Sequence, residues 1–298
     1  MNNHKTAYAR VLQPSEGETN ARQLTGKTFD WKEALGNPHL SEFIDLDTVP
    51  FQLRETEREI LELFHEPNFS GYTRWASSRV LDFALNNGIT TILELGAGTA
   101  PITRTIAQSD RCRGIKLVPC DLYPNRDHLK ALAAAYPNIV DPIFTSVDFS
   151  TKLHCPPRTL LVISGAFHHL PPESRQGVLS SLAAAADGVF VCEPLRRNLA
   201  STAFVLIGPI FALLAPIFLA GRTGTLRRIL FIWLLPIAQL MLALDGLVSV
   251  LRMNTEREWQ NMLTVVGEQT GKSWFINWTP LRQMVALVDS SFSFENDI

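Results

Sequence analysis

The apolar positions of this chain change their period along its length, and those changes divide it into regions. Residues 54–65 set Ile60, Leu61 and Phe64 on one side among charges, the spacing of an amphipathic helix. Residues 72–87 repeat it through Trp75, Val80, Leu81 and Leu85 and stop at Gly88, a C-cap glycine. From residue 91 the pattern becomes a series of short, continuous apolar runs of strand length: 91–95, 115–121, 142–147, 159–164 and 188–192. Helical patterns lie between them. Thr99 and Pro101 open one, residues 129–136 form an Ala-rich one closed by Pro137, and Pro171-Pro172 starts another through Val178, Leu179 and Leu182. Thr255-Glu256-Arg257-Glu258 is a capping box before an apolar helix through Trp259, Met262 and Val266. Residues 273–278 and 284–288 read as a closing antiparallel pair, bringing the expected strands to seven. Strands alternating with helices predict an α/β fold: a doubly wound, mostly parallel, Rossmann-like seven-stranded sheet.

One stretch breaks the alternation. Residues 199–220 run about 22 positions without a charge, and 229–244 add about 16 more before Asp245. The linker between them carries Arg222, Arg227 and Arg228, and Pro209, Pro216 and Pro236 are expected to break both helices. A spanning hairpin would carry those arginines to the far side of the membrane from the sheet, against the positive-inside tendency. Two readings stay open for this helical hairpin insertion after the fifth strand. Either it dips into one leaflet with Arg196, Arg197 and the linker arginines at anionic headgroups, or it packs as a lid or a dimer surface. The expected organisation is an N-terminal arm and helical cap over residues 1–70, a catalytic domain over 71–198 and 252–298, and the insertion over 199–251.

Composition narrows the function classes. A net charge of −2 over 298 residues lacks the basic excess of a nucleic-acid surface. The four cysteines, Cys112, Cys120, Cys155 and Cys192, show neither zinc spacing nor a disulfide framework, which predicts a reducing, cytoplasmic setting. The polar N-terminus (Met1-Asn2-Asn3-His4-Lys5) does not read as a signal peptide.

Candidate chemistry gathers at the strand ends, where open α/β sheets bind ligands. Glu94, Gly96, Ala97 and Gly98 form an acid followed by a glycine turn into a helix. Pro101 stands where a dinucleotide site would carry its third glycine. An acid in that turn disfavours a pyrophosphate and suits a cationic sulfonium donor, S-adenosylmethionine. Asp121 ends the second run, followed by Leu122, and suits a ribose diol. Asp148, Phe149, Ser164, Gly165, His168 and His169 complete the set. Tyr72 and Arg74, at the start of the preceding helix, are candidates for the cofactor carboxylate.

Across residues 72–194 these motifs resemble the class I S-adenosylmethionine-dependent methyltransferases. Glu94-Leu95-Gly96-Ala97-Gly98 looks like the first family motif, with Ala100 where Gly is common. The resemblance implies that Asp121 holds the ribose hydroxyls and that Asp148-Phe149 receives the adenine. It also implies that the loop 164–171, with its His-His-Leu-Pro, lies under the methionine and faces the acceptor. Its usual acid or amide is Ser164 here. A subgroup with an apolar insertion is similar around residues 244–252.

In-line methyl transfer needs alignment, and a base only where the acceptor is a hydroxyl or an acidic carbon. His169 is the expected base and His168 its neighbour; adjacent histidines point apart, so no metal site is expected. The expected acceptor is small and lipophilic, with membrane contact or oligomerisation through 199–251. Two other functions stand beside this: an NAD(P)-dependent oxidoreductase, and a non-catalytic, membrane-recruited binding module.

Overall fold

A computed structural model describes residues 42–292, apart from residues 47, 67–70 and 222. The expected arm over residues 1–41 lies outside the described residues. The described chain forms two units, one of residues 71–194 and 256–292, the other of residues 42–66 and 195–255.

The first unit is a six-stranded sheet in the order β2-β1-β3-β4-β6-β5. Its strands are β1 (Thr91–Leu95), β2 (Lys116–Cys120), β3 (Thr159–Ser164), β4 (Gly188–Glu193), β5 (Lys272–Trp278) and β6 (Gln283–Asp289). The first four pair in parallel, and β6 pairs antiparallel with both β4 and β5. Each parallel strand is buried along nearly its whole length because both faces are covered. Alternate residues feed two cores. Ile92, Leu117, Leu160 and Phe190 pack with helices Gly71–Asn86 and Pro101–Ala107, while Leu93, Val118, Leu161 and Val191 pack with Pro172–Ala185 and Glu256–Thr270.

The expected seventh strand, 142–147, is absent, and the reason lies in a proline of β2. The chain does run beside β2, with Leu117 N donating to Ile139 O, and Asp141 N and Ile143 N donating to Leu117 O and Pro119 O. Pro119 has no N–H to return to that segment, so the ladder shrinks to a single bridge between Leu117 and Val140. The insertion therefore follows the fourth strand of the sheet.

The second unit combines helix Phe51–His65 with the insertion. Instead of a two-helix hairpin, residues 199–252 form Leu199–Ala212, short turns Ala215–Phe218 and Thr225–Arg228, a π-helical stretch Ile229–Leu234 and Ile237–Arg252. Pro236 falls at a 77° bend between the last two segments. Pro209, in contrast, sits inside Leu199–Ala212 without ending it, and Pro216 lies in the first turn of Ala215–Phe218. No single helix among the described residues is long and apolar enough to cross a membrane. Buried charge organises this unit: Arg228, fully inside, donates to both carboxylate oxygens of Glu59 at 3.0 Å and to Leu219 O and Thr223 O. Arg227 reaches the same Glu59 at 2.7 Å. Two of the linker arginines expected at headgroups thus turn inward. Asp245 is also buried and accepts from the backbone N–H groups of Phe43 and Ile44.

Candidate active site

The strand order places β1 between β2 and β3, so chain crossovers leave β1 toward both sides and open a crevice past its carboxyl end. The turn after β1 depends on residues with positive φ: Gly96 at 63°, Gly98 at 55° and Ala100 at 51°. Gly96 also has no room for a side chain. A Cβ there would lie 3.0 Å from Ala166 Cβ and 3.4 Å from Phe149 Cε1. The turn, Phe149 and the loop after β3 therefore converge over the end of β1.

Glu94 is 1% exposed and points away from solvent. Its oxygens accept from the backbone N–H groups of Ile102 at 3.2 Å and Thr103 at 2.8 Å, in the first turn of helix Pro101–Ala107. It fills the role of a helix cap from the neighbouring strand. Burial pushes its carboxyl up to about 7, against the pull of the Thr103 and Ile102 donors, and the Asp121 charge adds to the rise.

Asp121 follows β2 and is partly exposed. One carboxylate oxygen accepts from Gly98 N at 2.8 Å and the other from Tyr123 N at 2.7 Å. Each oxygen keeps a further lone pair for a hydroxyl donor. Leu122 beside it is 40% exposed, and its carbonyl accepts from Ser146 Oγ. Ala97 ties the turn to β2 by donating to Cys120 O. Asp148 is exposed and accepts from both the N–H and the hydroxyl of Ser150 through one oxygen.

The end of β3 is held from the Gly71–Asn86 helix. The Tyr72 hydroxyl donates to Cys192 O at 2.9 Å and pairs with Ser164 Oγ at 2.8 Å. Burial, then the neighbouring Cys192 and Glu193, push its phenol well above its usual range, so it stays a neutral donor. Gly165 turns the chain at φ 64° and donates to Cys192 O. Arg74 is exposed on the same helix, and its charge, after burial, helps lower the Arg282 guanidinium. Arg282 donates to Gly71 O.

The two histidines differ sharply. His168 is buried, its Nδ1 lies 2.9 Å from Glu193 Oε2, and its backbone N–H donates to Glu193 Oε1. His169 is exposed, with its ring centroid 4.3 Å from that of His168. Arg175, buried in the following helix, donates to His168 O and Leu170 O and fixes the loop from below.

Glu193 and Arg175 are absent from the sequence-derived set. Glu193 had a readable signal, an acid at the end of an apolar strand, the position that Asp121 also holds. Arg175 had none, because nothing in a helix pattern marks one arginine as folded inward. The cysteines are free, and Cys112, Cys120 and Cys192 are buried.

No family model matches this chain, and no curated protein matches it. Among solved structures it is similar to the plantazolicin methyltransferase BpumL in complex with SAH, at 12% identity and a TM-score of 0.45, over 80% of this chain and 98% of that one. It is also similar to magnesium protoporphyrin IX methyltransferase from Synechocystis with bound SAH, at 14% and 0.42, over 83% and 89%. A third likeness is an O-methyltransferase family 2 protein from Planctomyces limnophilus in complex with apigenin, at 11% and 0.48, over 82% and 63%. At such identities and scores the chemistry rests on the site's own geometry.

Proposed function

We propose that this chain transfers a methyl group from S-adenosylmethionine to a small, lipophilic acceptor. One observation carries the reading: Glu94 already occupies the helix N–H groups where a diphosphate would bind, and Pro101 has no N–H to add. A phosphate-rich nucleotide would lose its anchor there and meet a carboxylate, which weighs against an NAD(P)-dependent oxidoreductase. A cationic nucleoside meets no such obstacle.

The residues present fit such a nucleoside. The Gly96 turn leaves space that a side chain would fill, and Asp121 offers its remaining lone pairs to a ribose diol. Leu122, Asp148 and Phe149 are assigned to the adenine side. Ala97 and Gly98 shape the turn, while Ser164, Gly165, Tyr72 and Arg74 are assigned to the amino-acid side. When bound, the cofactor supplies a methyl group already activated on a sulfonium. The chain's own contribution is then alignment and exclusion of water. Where the acceptor is a hydroxyl or an acidic carbon, His169, the exposed member of the pair, accepts the proton. His168, clamped by Glu193, positions it. A cytoplasmic setting agrees with the four unpaired thiols.

Calorimetry with S-adenosylhomocysteine against NADH and NADPH tests this directly. S-adenosylhomocysteine is expected to bind, and Asp121→Ala to weaken it about ten- to a hundredfold, as loss of hydrogen bonds to a charged acceptor would. His169→Ala should leave that affinity intact and lower kcat by about a hundredfold or more. Tighter binding of either nicotinamide nucleotide would overturn the assignment.

A further inference from the structure

Nineteen of the twenty-five exposed large hydrophobic residues described in this protein fall within residues 199–251. A patch of that extent is not left open to water without a partner. Its internal arrangement indicates which partner. On helix Leu199–Ala212 the buried side is Ser201, Val205, Gly208, Pro209 and Ala212, all small or medium in size. The exposed side carries Phe204 at 45%, Ile207 at 51%, Ile210 at 63% and Phe211 at 61%. Across from it, Gly246 approaches so closely that a Cβ there would lie 2.8 Å from Val205 Cβ. Polar groups go inside as well: Arg228, Gln239 and Asp245 are buried in the same unit. On Leu199–Ala212, small residues inward with large apolar residues outward is the reverse of a water-facing helix. It is the arrangement of helices packed in an apolar solvent.

We infer that this unit docks into one leaflet of a lipid bilayer through the outward side of Leu199–Ala212 and the neighbouring segments. Spanning is ruled against by length, because 14 helical residues reach about 21 Å against a hydrocarbon core of about 30 Å. The 77° bend at Pro236 keeps the second apolar pair from forming a straight span. Trp233, half exposed, spends its indole N–H on Leu213 O, so its ring enters an apolar layer without an unpaired donor. Charge selects lipid over a second copy of the chain. Residues 195–244 contain no Asp or Glu, and while Arg227 and Arg228 are spent inside on Glu59, Arg196 is partly exposed and Arg197 exposed just before Leu199–Ala212. Two such surfaces would bring like charges together, whereas anionic headgroups complement them. This inference stands independently of the methyl-transfer reading, since it concerns only the helical unit.

The test is co-sedimentation of the full chain with vesicles of phosphatidylcholine and phosphatidylglycerol, beside sedimentation velocity without lipid. The wild type is expected in the vesicle pellet. The double variant Ile210→Glu/Phe211→Glu, altered at exposed positions, should partition at least about tenfold more weakly while keeping its far-UV spectrum. Acyl-brominated lipids should quench wild-type tryptophan fluorescence, and Trp233→Phe should lose that quenching. A wild type that stays in the supernatant overturns the inference, as does binding unchanged in the double variant. A lipid-free dimer abolished by Ile210→Glu/Phe211→Glu would assign the patch to self-association and overturn it equally.

Discussion

The sheet unit and the helical unit both bury an apolar core, but they differ in what they leave outside. In the sheet, Phe190, Leu161 and Ile163 are fully enclosed, while Asp121, Asp148 and His169 stand at or near the surface. In the helical unit, Ser201, Arg228 and Asp245 are enclosed, and Phe211, Ile210 and Leu234 stand outside. The backbone needs are the same in both, and every helix closes its own hydrogen bonds. What differs is the surroundings for which each outer surface is suited. A sheet core is driven by removal of apolar area from water. The helical unit also encloses Ile60, Leu219 and Ile232, yet leaves the large side chains of Leu199–Ala212 exposed.

The sharpest way to break this contrast is to truncate one phenylalanine from each unit. Phe190→Ala empties a fully buried site and should lower unfolding stability by about 3–5 kcal/mol in urea titration. Equal tolerance of Phe190→Ala and Phe211→Ala would dissolve the distinction.

Next in size is the buried charge that replaces apolar packing in the helical unit. Arg228→Ala leaves Leu219 O without its donor and Glu59 with only Arg227. A loss of about 3 kcal/mol is expected by thermal or urea unfolding. Arg228→Met should recover part of it, and a neutral Arg228→Ala would show that the pair is ornamental to this fold.

Glu94 gives a comparable effect with a pH signature. The unfolded chain releases this proton near the ordinary 4.5, while the folded chain keeps it until about 7. The folded state therefore binds more protons in that window, and stability falls as pH rises through it. The full penalty, on the order of 3 kcal/mol, is present above about 7. Glu94→Gln has no proton to lose, so the difference between its urea midpoint and that of the wild type should change across pH 4.5 to 7. Parallel profiles would refute the assignment.

Smaller again, Tyr72→Phe takes one of two donors from Cys192 O, which keeps Gly165 N, and removes the hydroxyl paired with Ser164 Oγ; it should lower stability by about 1 kcal/mol. S-adenosylhomocysteine calorimetry on the same variant reads whether Ser164 has moved. Smallest of all, Phe211→Ala should change the unfolding free energy by no more than about 0.5 kcal/mol in the absence of lipid.

Much of the sheet was legible in the chain because its signals are local. Apolar runs bounded by glycine and proline set β1, β3 and β4, and Gly88 marks the helix end with φ 64°. The seventh strand failed for a reason also written in the chain but readable only in pairs. Pro119 matters because its missing N–H faces the partner segment, and that depends on register. The helical unit was legible as apolar and proline-broken, yet not as a partner of helix Phe51–His65, because its ties run through Arg228 and Asp245 to residues far away in sequence.

The site divides in the same manner. Its members could be found from their places after apolar runs, since strand ends in a parallel sheet share one edge. Their directions could not. Glu94 looked like a ligand-facing acid and is instead spent on the N–H groups of Ile102 and Thr103. His168 and His169 are adjacent letters, but one is buried and clamped by Glu193 and the other is exposed. Sequence by itself determined which residue types stand at the crevice, because periodicity and turn chemistry are properties of neighbours along the chain. Only tertiary structure decided which carboxylate is buried, which histidine is exposed and which side of an apolar helix faces outward, because burial and hydrogen-bond partners come from segments that the chain order keeps apart.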